Sequence, residues 1–157
     1  MKCFRIICFV LSIVIVTESA PAVSVDLAPK ANADPYAEDM KHRYYIGLEC
    51  LEDTRTNIQS ITKSLQDPLN PAEDDKYKDF LACSFKKQGF QASNGKMQIE
   101  HVKDFLTRYY TMNDLKAIDE CKSVKAETHG EIAYESMKCI MRKLVTLVQK
   151  GDENNEI

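Results

Sequence analysis

The chain of 157 residues lacks the features that identify most enzymes and metal proteins. It has three histidines and no H-E-x-x-H or G-x-S-x-G context, so neither a metalloprotease nor a serine hydrolase is indicated. The calcium-binding glycine loop and His-Asp-Cys run of a secreted phospholipase A2 are also missing. Its cysteines form no C-x-x-C or Cys/His pairs of the kind that zinc requires. The sequence therefore predicts no catalysis, no metal and no cofactor.

Charge and hydropathy exclude two further classes of partner. The formal net charge is −3 and no basic cluster occurs, which argues against nucleic acid and against an anionic membrane surface. Beyond the N-terminus no apolar run of about twenty residues appears, so we expect no membrane insertion. Alternation of period two persists nowhere, which favours an all-α domain.

The first twenty residues have the layout of a secretory signal peptide. Lys2 and Arg5 precede the apolar stretch 6–16, and small residues follow it. We predict cleavage between Ser19 and Ala22, which makes the protein secreted and extracellular.

The rest of the chain is predicted to form one domain between two terminal segments. Residues 21–33 carry two prolines and no periodicity, and are interpreted as a mobile N-terminal arm. Residues 34–150 are interpreted as a helical domain. Gly151 is expected to end the last helix, and 151–157 to form an acidic tail.

Apolar spacing and capping signals predict six helices. Their starts are predicted at Asp34-Pro35, at a Thr56/Gln59 capping box, at Asn70-Pro71, near Met97, at Thr111 and at a Thr128/Glu131 capping box. The first helix is predicted to turn one apolar stripe inward, formed by Met40, Tyr44, Leu48 and Leu51.

Four cysteines remain once the signal peptide is removed: Cys50, Cys83, Cys121 and Cys139. In an oxidising compartment an even count implies two disulfides, and three pairings are possible. Four buried thiols are the alternative.

The spacing of these cysteines resembles that of insect odorant-binding proteins of the pheromone-binding type, which have six helices and six cysteines. The four cysteines match the first, third, fourth and sixth of that pattern. The second would fall at Asp79 in "YKDFLAC", and the fifth at Gly130 in "HGEIAYESMKC". Further local similarity lies in "KKQGFQASNGKMQIEHVKDF".

The resemblance implies the disulfide pairing. The family joins first with third, second with fifth and fourth with sixth, which gives Cys50–Cys83 and Cys121–Cys139 here. The two missing sulfurs are bonded partners, so their joint loss removes one bridge and leaves no odd thiol. This pattern is similar to the minus-C subgroup of the family.

The resemblance also implies a fold and a function. We expect an all-α, six-helix, disulfide-linked domain that encloses a hydrophobic cavity, as in insect odorant-binding proteins. We expect a carrier that reversibly binds small hydrophobic or amphipathic molecules such as odorants or pheromones. The predicted ligand-binding residues are Leu81, Phe85, Phe105, Tyr110, Leu115, Ile118, Tyr134, Met137, Ile140, Met141 and Leu144. The hydroxyls of Tyr110 and Tyr134 are candidates to orient a ligand.

Two other interpretations stay open. One keeps the carrier but places it in haemolymph, seminal, salivary or venom fluid, with a non-odorant lipophilic ligand. The other is a disulfide-bonded helical signalling or structural protein with a solid core. An olfactory receptor and a second copy of the chain are further candidate partners, and His129 is a candidate for pH-triggered release.

Overall fold

The structure, a computed structural model, describes residues 35–153, and side chains over 37–147. The predicted signal peptide (1–20), the predicted arm (21–33), the predicted cap Asp34 and residues 154–157 of the predicted tail lie outside the described residues.

The described chain is helical, with no strand. Its helices are α1 (Pro35–Thr54), α2 (Ile58–Gln66), α3 (Asp75–Lys87), α4 (Ile99–Leu106), α5 (Met112–Leu115) and α6 (His129–Glu153). A 3-10 helix, Lys116–Ser123, continues α5. The two extended segments that pair in the described part form an isolated antiparallel bridge between Gln91 and Met97. The prediction of six helices and an all-α fold is confirmed.

Two capping boxes form: the one predicted at Thr128/Glu131, and one with Asp114 at Thr111, which was predicted only as a cap. The Thr111 hydroxyl accepts a hydrogen bond from the backbone N–H of Asp114 at 3.2 Å, and the Asp114 carboxylate accepts one from the N–H of Thr111. At the start of α6, the Thr128 hydroxyl and the Glu131 carboxylate make the same reciprocal pair, at 3.1 and 3.2 Å. These bonds satisfy N–H groups that the first turn of a helix leaves without partners.

Two predicted helix starts are wrong by a few residues. Asn57, rather than Thr56, caps α2, because the buried Thr56 hydroxyl donates to the carbonyl of Lys76 at 2.7 Å. Asp74, rather than Asn70, caps α3. The Asn70 side chain instead donates to Asp67, which holds the segment before α3 in a turn.

The predicted end of α6 is also wrong, since this helix continues through Gly151 to Glu153. Glycine within a helix costs about 1 kcal/mol relative to alanine. One added hydrogen bond per residue lets a long helix propagate through such a position.

The core is built around α3 and α6, which pack against each other more extensively than any other pair of helices in the described chain. The fully buried Tyr77 of α3 meets Tyr134 of α6 edge-to-face, with ring centroids 6.4 Å apart. On its other side α3 packs against α1. There Ile46 and Cys50 are buried, whereas Tyr44 and Leu48 are 40% and 44% exposed. The inward stripe predicted for α1 is therefore wrong at Tyr44 and Leu48.

Both predicted disulfides are formed. Cys50–Cys83 joins α1 to α3, and Cys121–Cys139 joins the 3-10 helix to α6. In the chain-entropy account each bridge stabilises the fold by about 3–4 kcal/mol. Each disulfide thus ties one of the two central helices to a neighbour, and the central pair itself is held without a covalent bond.

Asp79 and Gly130, the positions at which the family pattern would place the two missing cysteines, lie together at the α3–α6 contact. Gly130 is buried at the start of α6, and a Cβ added there would lie 3.1 Å from the carbonyl carbon of Lys78 and 3.2 Å from a carboxylate oxygen of Asp79. Glycine therefore lets the first turn of α6 approach the backbone of α3 more closely than another residue would.

Replacing Asp79 and Gly130 together by cysteine is expected to form a third disulfide, because the two positions are in contact. The new Cβ at 130 requires a shift of a few tenths of an ångström against Lys78. Thiol titration should find no free cysteine, and the oxidised variant should melt at a higher temperature than its reduced form.

Gly130→Ala is the control for this variant. It adds the Cβ without the bond, so its melting temperature should fall below that of the parent. Two thiols that persist after mild oxidation of the double variant would contradict the placement of α6 against α3.

Candidate functional site

A small apolar void lies between α3, α4 and α6. Its volume is about 10 Å³, which is the space of about one water molecule. Its lining is apolar throughout and consists of Phe85, Phe90, Val102, Phe105, Leu106, Met137, Ile140 and Met141. A void with this lining offers no hydrogen-bond partner, so it suits an apolar occupant.

The α6 side of the void follows from helical spacing. Met137, Ile140 and Met141 stand at positions i, i+3 and i+4, so they share one face of the helix. All three are at least 96% buried. Their partners across the void come mainly from α4, where Val102, Leu106 and Phe105 form the matching inward face.

Phe90 reaches the void because of the way α3 ends. Gly89 has a φ of +77°, the left-handed conformation that glycine adopts without strain. The N–H of Phe90 then donates to the carbonyl of Phe85 at 2.8 Å, and the N–H of Gly89 to Lys86 at 3.1 Å. This is a Schellman motif, in which the residue after the glycine packs back on the helix. The rings of Phe85 and Phe90 accordingly lie 6.1 Å apart.

The structure brings together five of the eleven residues predicted to bind ligand. These five line the void: Phe85, Phe105, Met137, Ile140 and Met141. Sequence reasoning missed three others, Phe90, Val102 and Leu106. The Gly-Phe pair at the end of α3 could have indicated Phe90. The apolar face of α4 could have indicated Val102 and Leu106.

The other six predicted residues lie elsewhere. Leu81, Leu115, Ile118 and Leu144 are buried in the core without lining the void. Tyr134 is buried too, and its hydroxyl donates to the carbonyl of Pro71 at 3.4 Å. Tyr110 is partly buried against the core. For all eleven residues, a role in ligand binding remains a prediction.

A polar groove lies on the outer side of the same wall. Phe90 and Phe105 line both the void and this groove, whose volume is about 290 Å³. The remaining groove residues are polar: Arg43, Gln88, His101, Asp104 and Arg108. Two aromatic side chains therefore separate an apolar interior from a charged surface.

Arg43 covers these two rings. Its guanidinium carbon lies 4.3 Å from the ring centre of Phe105 and 5.3 Å from that of Phe90. Its Nη1 donates to Gln88 at 2.6 Å and its Nε to Asp39 at 3.2 Å. The side chain is only 13% exposed, so its charge lies against the aromatic wall, where cation–π attraction is favourable.

Asp39 joins Arg43 to a second arginine. One oxygen, Oδ2, accepts from Arg43 Nε and also from Arg108 Nη1, the latter at 2.7 Å. The Arg108 guanidinium in turn lies 5.3 Å from the ring centre of Phe105. Burial alone raises the pKa of Asp39, but the hydrogen bonds and charges of Arg108 and Arg43 outweigh it and hold the pKa below its ordinary value.

The histidines make local contacts. Nδ1 of His101 lies 3.0 Å from the carbonyl of Gly89, and Nδ1 of His129 lies 2.8 Å from Nζ of Lys86. Among the described residues, no group of His, Cys, Asp and Glu side chains is arranged to hold a metal ion. Nor is any helix within 35–153 long and apolar enough to cross a membrane.

Together, these features define a disulfide-linked helical domain with a small apolar void next to a charged groove. The chain belongs to the PBP/GOBP family, whose model matches residues 33–143, and the predicted family is confirmed. It is similar to General odorant-binding protein 69a of Drosophila melanogaster, with 30% identity over 94 residues, 59% of this chain and 62% of that relative. The match thus spans less than two thirds of the relative's length.

Among solved structures, the chain is similar to the fatty acid binding protein OBP56a from the oral disk of the blowfly Phormia regina. The TM-score is 0.59 at 19% identity, covering 73% of this chain and 99% of that one. At this identity the likeness shows the fold alone.

The ion pairs of Asp39 predict a pH-dependent stability. Because the folded-state pKa lies below the ordinary 3.8, the pairs stabilise the fold above pH 3.8 and lose that contribution as the pH falls through the folded pKa. At neutral pH the free energy of unfolding should be lower in Asp39→Asn than in the parent, by up to about 1 kcal/mol.

Denaturant unfolding at a series of pH values measures this difference. It should shrink towards zero in acid, where both proteins lack the charge. A difference that stays constant down to the lowest pH would mean that the carboxylate is not held by the two arginines.

Proposed function

We propose that the protein is an extracellular carrier that reversibly binds small hydrophobic ligands between α3, α4 and α6. The observation that carries this proposal is the wholly apolar lining of the void in a chain of the PBP/GOBP family. Transfer of a ligand from water to such a site contributes about 25 cal/mol per Å² of apolar surface buried. No chemical step is required of the protein.

Binding requires the lining to move, since the void of about 10 Å³ is far smaller than an odorant-sized molecule. Met137 and Met141 are the side chains most suited to this. Methionine is unbranched and has three rotatable bonds, so it repacks around an occupant at low cost. In the proposed mechanism these two side chains swing aside, the ligand takes their place, and its release lets them return.

The finer assignment to odorants or pheromones rests on the family and on the similarity to the odorant-binding protein of Drosophila. Secretion is supported by the signal-like N-terminus and by the two disulfides, which form and persist in oxidising compartments. The lack of a third bridge between α3 and α6 supports placement in the minus-C subgroup. A carrier of other lipophilic molecules in a different secretion would use the same site. The proposal also includes delivery of the ligand to a receptor and pairing of the protein with a second copy of itself.

The small size of the void favours a second candidate function. A disulfide-bonded helical signalling or structural protein would need a solid core, and the structure leaves only about 10 Å³ unfilled at this site. The two candidates differ in whether the α6 methionines give way to a ligand.

A matched pair of truncations in α6 tests the carrier proposal. Met141 and Leu144 are 2% and 1% exposed and lie one turn apart, but only Met141 lines the void. Truncation of either to alanine should destabilise the fold by about 2–5 kcal/mol. Only Met141→Ala makes room at the site, so only this variant should bind a fluorescent apolar probe more tightly than the parent does.

Probe titration and thermal unfolding of the parent and both variants give the required measurements. Leu144→Ala is the control for lost stability without a change in the lining. If the parent binds no probe, or if both truncations alter its affinity equally, the solid-core candidate is favoured.

A further inference from the structure

We propose that Asn94 is a site of spontaneous deamidation, and that the isoaspartate formed there detaches the loop 92–96 from the start of α6. The co-reactant is water. The proposal concerns a surface loop and does not depend on the carrier function. It rests on the pair Asn94-Gly95 in the sequence, on the hydrogen bonds within the loop, and on the contacts that join the loop to α6.

The first support is the residue that follows Asn94. Among the asparagines of the sequence, only Asn94 is followed by glycine. Deamidation begins when the backbone nitrogen of the next residue attacks the amide carbon of the asparagine side chain. Glycine has no Cβ, so it leaves that nitrogen open to a close approach. By contrast, Asn70 is followed by Pro71, which has no N–H to lose.

The second support is the geometry of the loop. Residues 93–95 form a three-residue hairpin loop, in which the N–H of Ala92 donates to the carbonyl of Lys96 at 2.8 Å and the N–H of Gly95 to that of Ala92 at 2.9 Å. Asn94 is exposed, and its Oδ1 accepts a hydrogen bond from the N–H of Lys96 at 3.1 Å. Because Gly95 lies between these two residues, the bond turns the Asn94 side chain towards the Gly95 nitrogen. It also places a donor on the oxygen where negative charge develops during the attack.

The reaction has two steps. The N–H of Gly95 leaves the carbonyl of Ala92, and its nitrogen forms a bond to Cγ of Asn94. The Cγ–Nδ2 bond breaks, the proton of Gly95 ends on the departing ammonia, and a succinimide ring remains. Water then opens the ring. Cleavage between the nitrogen and Cγ gives aspartate, whereas cleavage between the nitrogen and the backbone carbonyl carbon gives isoaspartate, whose backbone runs through Cβ and Cγ.

The third support is the side chain of Gln91, which joins the loop to α6. It is 2% exposed, and its Nε2 donates to the carbonyl of Gly95 at 2.8 Å and to that of His129 at 3.0 Å. Its Oε1 has no hydrogen-bond partner within the described chain, so the two bonds of Nε2 fix this amide. The loop also lies against the His129 ring, since a Cβ on Gly95 would overlap that ring.

Isoaspartate breaks this connection because it lengthens the backbone within the hairpin loop by one carbon atom. The length of such a loop selects its turn, so the longer loop cannot keep the carbonyl of Gly95 on Gln91 and its N–H on Ala92. Loss of the carbonyl leaves a buried hydrogen of Gln91 Nε2 without an acceptor, which destabilises the fold. Aspartate keeps the original backbone and adds only a charge at an exposed position, so it leaves the connection intact.

The test incubates the intact protein at mildly alkaline pH, which favours loss of the Gly95 proton, and follows the asparagines by peptide mass spectrometry. The Asn94 peptide should gain the mass difference between an amide and an acid, and should separate into an aspartate and an isoaspartate form. The peptides of Asn57, which caps α2, and of Asn113 in α5 should stay unchanged. Asn94→Gln is the matched control. It keeps the amide but needs a larger ring to react, so it should stay unmodified.

The isoaspartate form is then isolated and compared with the unmodified parent. Its melting temperature should be several degrees lower. The N–H of Ile132, which donates to the carbonyl of Thr128 at 3.0 Å in the first turn of α6, should exchange with solvent faster. Freshly purified Asn94→Asp carries the new charge without the added backbone carbon, so both measurements should stay close to the parent values.

If Asn94 keeps its amide, or reacts no faster than Asn57 and Asn113, the proposal is overturned. If isoaspartate forms but the melting temperature and the exchange of Ile132 stay at the parent values, or if Asn94→Asp changes them equally, the connection from the loop to α6 is overturned. Conversion at Asn94, with a loss of stability confined to the isoaspartate form, establishes the proposal.

Discussion

The contact between α3 and α6 is the constraint on which the rest of the structure depends. Gly130 brings the start of α6 against the backbone of Lys78, and one turn further on Tyr134 meets Tyr77 edge-to-face. The Tyr77 hydroxyl then contacts the sulfur of Met137 at 3.9 Å. These contacts set the orientation of α6 against α3. They therefore also set the positions of Met137 and Met141. Each disulfide links α3 or α6 to a neighbouring element, and neither disulfide links α3 to α6.

This division of roles suits the opening of the void that the proposed function requires. The covalent bonds hold α1 to α3 and the 3-10 helix to α6, whereas the lining comes from side chains that are not covalently constrained. Across the void, Phe90 and α4 are connected to α3 through the turn at Gly89. The adaptable methionines of α6 thus face Phe90 and the inward side of α4, which is the arrangement expected of a site whose lining repacks around an occupant.

The sequence was sufficient for the features that depend on local patterns. The Thr111 cap placed α5, the Thr128/Glu131 capping box placed α6, the 3.6-residue spacing placed Met137, Ile140 and Met141 on one face, and the family pattern paired the cysteines. Competing local contacts displaced two helix starts, since Thr56 bonds to Lys76 and Asn70 bonds to Asp67 instead of capping. Tyr44 and Leu48 have the spacing of a buried stripe, but α1 turns Ile46 and Cys50 towards α3.

The charged groove was beyond sequence reasoning because its parts are remote in the chain. Asp39 and Arg108 are 69 residues apart, and neither belongs to a motif. In the sequence, Asp39 and Arg43 have only the spacing of an ordinary i, i+4 ion pair on a surface helix. Only the folded chain lays Arg43 across Phe90 and Phe105, and that placement is what gives the ion pairs a position next to the void.

The central claim is that the α6 methionines give way to a ligand. The most direct measurement is NMR of the protein labelled with carbon-13 at the methionine methyl groups, titrated with an apolar ligand. The methyl signals of Met137 and Met141 should shift or exchange in proportion to occupancy, while that of Met112, which is 51% exposed on α5, stays in place. Saturable binding that leaves the signals of Met137 and Met141 unchanged would contradict the account.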